Sequence, residues 1–331
     1  MERFALAAAV VLGFALTAAL CSLFVPLRRV LERREQQQQP VQSEQPRPAP
    51  LRAPLWGGLC AAAGTVAAVG VGWLAACVGQ PELLGSEGRL MTRLLTALAG
   101  SLAFGAVGLA EDLARMRSPA ALGLRRDVRL LLEALAAAFV LLLLRAAGCL
   151  PRGLGVPGAG YVLLGSAVPL LWAVLMVTLA ECARVAERDE GTVCGAAFAA
   201  MLALMMVEAG LGVSGLAVLP AALAGALVAL GLWAFPPAKL GAGCCGSLLA
   251  AGAIGCIPLS LDMTSLTVPL ALPFWAAGGL LAAQLLCAKR TGKPLRCWVK
   301  KHKMSPETVF LCSFALSAVG YVLALALLRW C

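Results

Sequence analysis

Long apolar runs alternate with short polar segments along the whole chain. The runs are continuous rather than alternating between apolar and polar residues, which favours helices over the strands of a β-barrel. A helix needs about 20 apolar residues to cross a bilayer. The pattern predicts an all-α, polytopic membrane protein that forms a single domain over residues 1–331. Ten transmembrane helices are expected, at 4–26, 55–78, 94–110, 128–149, 161–180, 193–207, 211–234, 246–260, 267–288 and 308–329.

Basic residues are concentrated in every second segment between these runs. Because positively charged loops remain in the cytoplasm, the odd-numbered loops are predicted to be cytoplasmic and both termini to lie outside. We expect the first helix to be an uncleaved anchor rather than a signal peptide, since "LRRVLERRE" follows it directly. Residues 34–50, rich in Gln and Pro, are predicted to be a disordered cytoplasmic loop.

The composition agrees with a membrane protein and excludes other classes. The chain is 61% hydrophobic and only 13% charged, whereas soluble domains carry about 25% charged residues. The net charge of +10 would suit nucleic acid, but the basic residues are divided among several loops, so no nucleic-acid partner is expected. Most of the 13 cysteines lie inside apolar runs and form no CxxC metal-binding pattern.

Two adjacent carboxylates stand at the end of the third apolar run. Glu111 and Asp112 could bind Mg²⁺, a hard cation that prefers oxygen ligands, or could be solvated charges at a helix end. Arg129 lies just inside the next run, where it could bind a phosphate or extend towards the headgroups. Glu181, Arg184 and Glu187 are spaced by three residues and share one helix face. They form either an ion-pair ladder or part of a polar site.

The segment "FPPAKLGAGCCGSLLA" breaks one helix and starts another. It contains Lys239 and glycines that leave backbone N–H groups unobstructed, and Ser247 is predicted to cap the following helix. Such a helix start favours an anion such as phosphate. The basic segment "KRTGKPLRCWVKKHKMSPE" contains His302, the only histidine. Anionic lipid headgroups or a nucleotide would suit this segment, and the positive-inside bias explains it nearly as well.

Five segments together resemble a known family. They are "APLWGGL", "GLAEDL", "LGLRRDVRLLLE", "FPPAKLGAGCCGSL" and "KMSPETVF". The chain resembles the polyprenyl-phosphate N-acetylhexosamine-1-phosphate transferases, and among them most closely the phospho-N-acetylmuramoyl-pentapeptide transferases. The fourth segment is the most specific, because its spacing from Pro237 to Ser247 is intact.

The resemblance implies transfer of a sugar phosphate from a UDP-sugar to undecaprenyl phosphate, with Mg²⁺ as cofactor, in the synthesis of peptidoglycan or another cell-envelope precursor. It places the site on the cytoplasmic face of a bacterial plasma membrane, among membrane lipids, in a chain that can form a homodimer. The catalytic residues would be Glu111, Asp112 and Glu187, with Asp112 and Glu187 as metal ligands. The residues that bind substrate phosphate would be Arg129, Lys239, Ser247 and His302.

The chain departs from that family at the acidic positions. Glu111 and Cys244 stand where the family has aspartates, and Glu181 and Arg184 stand where it has asparagines. The family's histidine triplet is absent from the sequence, and His302 lies out of its register. One hypothesis is therefore a divergent transferase of reduced activity. The alternative is a non-catalytic pseudoenzyme that binds polyprenyl phosphate or envelope-assembly partners. An unrelated transporter or scaffold is a third, although few polar residues lie deep in the predicted helices.

Overall fold

The computed structural model describes residues 2–38, 56–79, 88–117, 123–151, 153–156, 160–163, 165, 167–187, 191–235, 238–291 and 306–330. The first half of this part contains α1 (Glu2–Gln38), α2 (Gly57–Gly79), α3 (Gly88–Arg117), α4 (Arg126–Ala146), β1 (Gly153–Val156) and β2 (Gly160–Leu163). The second half contains α5 (Ala167–Ala186), α6 (Thr192–Gly210), α7 (Ser214–Ala234), α8 (Gly243–Ser260), α9 (Thr267–Leu270), α10 (Leu272–Thr291) and α11 (Pro306–Trp330).

The helices confirm the all-α, multi-pass membrane fold. The eleven helices of the described residues follow the ten predicted runs in order, two of them sharing the ninth run. Eight of those, α1–α3, α5–α8 and α11, are long and apolar enough to cross a membrane. The ninth run is divided between α9 and α10, which meet at a bend of 64°. The helix at the fourth predicted run, α4, carries charged side chains at Arg129, Glu133 and Arg145.

Two helix boundaries differ from the prediction, and the second of them affects the site. The fifth helix is predicted from residue 161, but Gly160–Leu163 pairs antiparallel with Gly153–Val156, with Gly153 opposite Leu163, and α5 begins only at Ala167. Glycine disfavours helix, and the aromatic and β-branched residues of "YVL" favour strand. The third helix continues to Arg117, so Glu111 and Asp112 lie within α3 rather than after it. In the predicted loop 34–50, α1 extends to Gln38 and residues 39–50 lie outside the described residues.

The buried centre of the bundle is α8, all of which is enclosed by other helices. It packs antiparallel against α3 through small residues. A Cβ atom on Gly100 would meet Cys256, one on Gly105 would meet Leu249, and one on Gly108 would meet Cys244. Small residues let helix backbones approach closely in a membrane, where no hydrophobic effect drives helices together. This packing brings the last turns of α3 to the first turn of α8.

The described residues that flank the loops predicted to share one side of the membrane lie together at one end of the bundle. They are in contact with one another, as the predicted alternation requires. These contacts join Gly57 to Gly241, Asp112 to Cys245, Arg129 to Glu181, and Phe235 to Phe310.

Candidate functional site

Glycines at this end allow three helix termini to meet. The backbone N–H of Gly57 donates to the carbonyl of Gly241 at 3.2 Å. A Cβ on Gly58 would lie 2.1 Å from the nitrogen of Gly246, and a Cβ on Gly108 would lie 2.2 Å from the carbonyl oxygen of Cys244. Neither distance is compatible with a side chain, because the opposing atoms are backbone. The glycines of "APLWGGL", "GLAEDL" and "GAGCCG" therefore fix how α2, α3 and α8 converge.

Asp112 caps the N-terminus of α8 from the neighbouring helix. Its Oδ1 accepts the backbone N–H of Cys244 at 3.1 Å, and its Oδ2 accepts that of Cys245 at 2.9 Å. The first N–H groups of a helix have no partner within it and attract negative charge. The residue before α8, Ala242, offers no side-chain cap. The anion that the sequence predicts at this helix start is thus a carboxylate of the chain itself.

The cap predicted at Ser247 is wrong. Ser247 lies one turn inside α8, fully buried, and its hydroxyl donates to the carbonyl of Cys244 at 3.1 Å. The helix starts earlier than the sequence suggests because Gly243 takes a positive φ of 68°, which turns the chain into the helix ahead of Ser247. A phosphate-binding role for Ser247 stays a prediction.

Lys239 lies on the loop between α7 and α8. Its backbone N–H donates to the carbonyl of Trp233 at 2.8 Å, and its side chain is exposed. The loop leads directly to the helix start that Asp112 caps, so Lys239 and Asp112 lie at the same end of the bundle. His302 falls outside the described residues.

Glu111 is surrounded by arginine side chains from three helices. Its Oε1 lies 2.7 Å from Arg115 on α3, 3.7 Å from Arg129 on α4 and 3.6 Å from Arg184 on α5. The Glu111 carboxylate is almost completely buried, and its Oε2 has no hydrogen-bond partner. Several positive charges around one buried carboxylate offset the cost of removing it from water.

A second carboxylate, Glu181, extends this network. Its two oxygens accept hydrogen bonds from Nε and Nη2 of Arg129 at 2.8 and 3.3 Å, the paired geometry that guanidinium favours. Glu181 also pairs with Arg184 three residues later on α5. The predicted ion-pair ladder is therefore present between Glu181 and Arg184, and it continues through Arg129 and Glu111. We call the residues Glu111, Asp112, Arg115, Arg129, Glu181 and Arg184 the ion-pair cluster.

Two contacts of the cluster were not predicted from the sequence. The first joins Arg115 to Glu111, although their spacing of four residues on a continuing helix is a signal for such a pair. The second joins Arg184 to Glu111, and no sequence signal shows that Arg184 faces that residue across the bundle.

Glu187 follows the last residue of α5 and lies near the cluster. It is close enough to Arg115 and to Cys244 to interact electrostatically with both. The structure thus brings four of the predicted site residues, Glu111, Asp112, Arg129 and Glu187, into or beside the ion-pair cluster, at the end of the bundle where Lys239 also lies. Deeper in α4, Glu133 is buried with no hydrogen-bond partner for either carboxylate oxygen.

The described carboxylates at this end do not fit Mg²⁺. Among the described residues, no three His, Cys, Asp or Glu side chains are grouped to hold a metal ion. Both Asp112 oxygens face N–H donors, and Arg115 lies 3.9 Å from Oδ1. A divalent ion about 4 Å from one guanidinium would be repelled by roughly 8 kcal/mol at an effective dielectric constant of about 20. The donors present suit internal ion pairs and not the octahedral oxygen shell that Mg²⁺ requires.

A comparison with known protein families gives one match. A family model described as glycosyl transferase family 4 matches residues 94–262, about half of the chain. The matched part runs from α3 to the end of α8 and includes the whole ion-pair cluster, Glu187, Lys239 and Ser247. No curated protein matches the chain.

Proposed function

The chain belongs to glycosyl transferase family 4, and we propose that it is a non-catalytic member that binds a polyprenyl phosphate. The family supports a membrane phosphosugar transferase of the general kind, with polyprenyl phosphate and a sugar nucleotide as its usual ligands. Under this proposal the chain binds the lipid ligand but does not catalyse the transfer reaction.

One observation carries the proposal: Glu111 and Asp112, the carboxylates that would act in catalysis, are both occupied by other groups of the chain. Asp112 caps α8, and Glu111 faces three arginines. Phosphoryl transfer from a nucleotide sugar depends on positioning and on cations that neutralise the diphosphate. Carboxylates that are already paired with backbone N–H groups and guanidinium groups are poorly placed to bind that cation, and a buried acid paired with guanidinium is not free to move a proton.

The cations at this end support binding of a lipid phosphate. Lys239 is exposed, and so are Arg125 and Arg126 at the start of α4. Exposed basic residues at the ends of membrane helices attract anionic headgroups. We propose undecaprenyl phosphate as the lipid, on the cytoplasmic side of a bacterial plasma membrane. A second copy of the chain or envelope-assembly proteins would be the partners of such a lipid-binding protein.

A divergent transferase is the second candidate, and one observation favours it. Glu111, Asp112, Arg129 and Glu187 converge at the end of the bundle to which the Lys239 loop leads. The arrangement keeps the positions of a transferase site, even though its carboxylates are paired. Such an enzyme would make a lipid-linked sugar for peptidoglycan or another envelope polymer, with Mg²⁺ recruited to the acidic residues.

A transfer assay separates the two candidates. The purified protein in nanodiscs containing undecaprenyl phosphate would be incubated with Mg²⁺ and a panel of radiolabelled UDP-sugars, beside an active member of the family. We expect no lipid-linked product, together with saturable binding of undecaprenyl phosphate that Lys239→Ala weakens. Arg117→Ala, which removes an exposed cation at the end of α3, is the matched control. Formation of a lipid-linked sugar would overturn the proposal in favour of the transferase.

A further inference from the structure

The ion-pair cluster balances its own charge. Three carboxylates, on Glu111, Asp112 and Glu181, are paired with three guanidinium groups. Each guanidinium contacts two carboxylates: Arg115 bridges Glu111 and Asp112, while Arg129 and Arg184 each bridge Glu111 and Glu181. The bridges link α3, α4 and α5. Bridging of carboxylates from different helices is also what a bound divalent cation does.

We infer that the guanidinium groups of Arg115, Arg129 and Arg184 serve in place of a divalent cation, so that this end of the protein is held together and binds phosphate without Mg²⁺. The part of the inference that concerns phosphate rests on the proposed function. The part that concerns assembly rests only on the geometry of the cluster.

Burial of the charged side chains supports the part of the inference that concerns assembly. The side chains of Glu111 and Arg129 are 2% and 9% exposed, and that of Arg184 is 16% exposed. Charges so far removed from water must be compensated by neighbours. Arginine suits this role better than lysine, because its planar guanidinium can donate to two carboxylates at once. Arg184 is the decisive member, since it alone among the three lies on α5 and reaches across to α3.

The first experiment is thermal unfolding of the purified full-length protein in nanodiscs, in EDTA and in millimolar Mg²⁺ at matched ionic strength. A ligand that binds only the folded state raises Tm. We expect the same Tm in both conditions for the native protein. A Tm that rises by several degrees with Mg²⁺ would overturn the inference.

Removing one guanidinium should create the metal dependence that the native protein lacks. Arg184→Asn leaves the carboxylates of Glu111 and Glu181 with one cation fewer, so we expect a lower Tm in EDTA and a partial recovery with Mg²⁺. Arg184→Lys keeps the charge and should remain insensitive to Mg²⁺. Arg117→Asn, which removes an exposed arginine at the end of α3 outside the cluster, is the matched control. An Arg184→Asn variant that folds and gains nothing from Mg²⁺ would count against the inference.

Lipid binding distinguishes failure of the inference from failure of the proposed function. Undecaprenyl phosphate in nanodiscs is titrated against the native protein in EDTA and in Mg²⁺. Equal affinity in both conditions supports the inference and the proposed function together. Binding that requires Mg²⁺ overturns the inference and leaves the proposed function standing. Absence of binding in both conditions overturns the proposed function, while an unchanged Tm still supports assembly without metal.

Discussion

The carboxylate of Asp112, on α3, accepts a hydrogen bond from the backbone N–H of Cys245, in the first turn of α8, at 2.9 Å. The N–H of Cys244 donates to the other oxygen of the same carboxylate. Helices are usually capped by a side chain just before their first turn. Here the cap comes from a different helix, so the two hydrogen bonds also fasten α3 to the buried centre of the bundle.

Loss of this cap should lower stability. Asp112→Ala would leave two buried N–H groups without an acceptor, and each such group costs about 1–3 kcal/mol of unfolding free energy. We therefore expect a clear fall in Tm, measured by circular dichroism of the protein in nanodiscs. Asp127→Ala is the control, because Asp127 is an exposed acid in the first turn of α4. Equal melting of the Asp112→Ala variant and the native protein would show that the cap contributes nothing.

Substitution by alanine should lower the stability of the protein at Gly58 and raise it at Gly70, although both glycines lie in α2. A Cβ on Gly58 would lie 2.1 Å from the backbone nitrogen of Gly246, so Gly58→Ala must push α2 away from α8. Overpacking of this kind costs about 1–3 kcal/mol. A Cβ on Gly70 meets nothing within 4 Å, and replacing an exposed helical glycine by alanine gains roughly 0.5–1 kcal/mol. Melting of both variants tests the contact, and a Gly58→Ala protein as stable as Gly70→Ala would contradict it.

The fold could be predicted from the sequence because lipid imposes a simple pattern. Continuous apolar runs predicted the helices and their order. The alternation of basic loops predicted that α3, α5 and α7 end on the same side of the bundle. The pairing of Gly153–Val156 with Gly160–Leu163 was missed, since its apolar residues look like the start of the next helix. A hydropathy profile measures how apolar a segment is, and it contains no information on which residues form hydrogen bonds between strands.

The site was predictable in its location but not in its pairing. Neighbouring charges and the resemblance predicted that Glu111, Asp112 and Arg129 share one site, and the structure brings them to one end of the bundle. The sequence did not show that Asp112 points at the start of α8 or that Arg184 reaches Glu111, because both contacts join residues far apart in sequence. Ser247 fits the sequence rule for a cap, yet Asp112 takes that role from another helix. Local rules fail where a tertiary contact satisfies the same N–H groups.

The pairing of Arg129 with Glu181 can be measured by a double-mutant cycle. We expect Arg129→Ala to be strongly destabilising, since it leaves Glu181 and the buried Glu111 with fewer cations. Glu181→Ala should cost less, because that side chain is more exposed than that of Arg129. Residues in one ion-pair network couple by about 0.5–3 kcal/mol. Melting of the two single variants and the double variant gives the coupling energy, and strict additivity would mean that the hydrogen bonds at 2.8 and 3.3 Å contribute no net stability.

Placing at Cys244 the aspartate that the resemblance implies should destabilise this protein. Cys244 is fully buried and lies close enough to Asp112 and Glu111 to interact electrostatically with them. Cys244→Asp would add a fourth carboxylate beside Glu111, Asp112 and Glu187, and an uncompensated buried charge costs about 3–5 kcal/mol. We expect a large fall in Tm that Mg²⁺ does not reverse while Arg115, Arg129 and Arg184 remain.

The matched control for this change is Cys244→Ser, which keeps the size of the side chain without adding charge. Its Tm should stay close to that of the native protein. In the double variant Cys244→Asp, Arg184→Asn, one positive charge is gone and one acid is gained, so the carboxylates around α8 can attract a divalent ion. Mg²⁺ should then raise Tm by several degrees. If Mg²⁺ raises the Tm of the Cys244→Asp variant and of the double variant by the same amount, Arg184 does not exclude the cation.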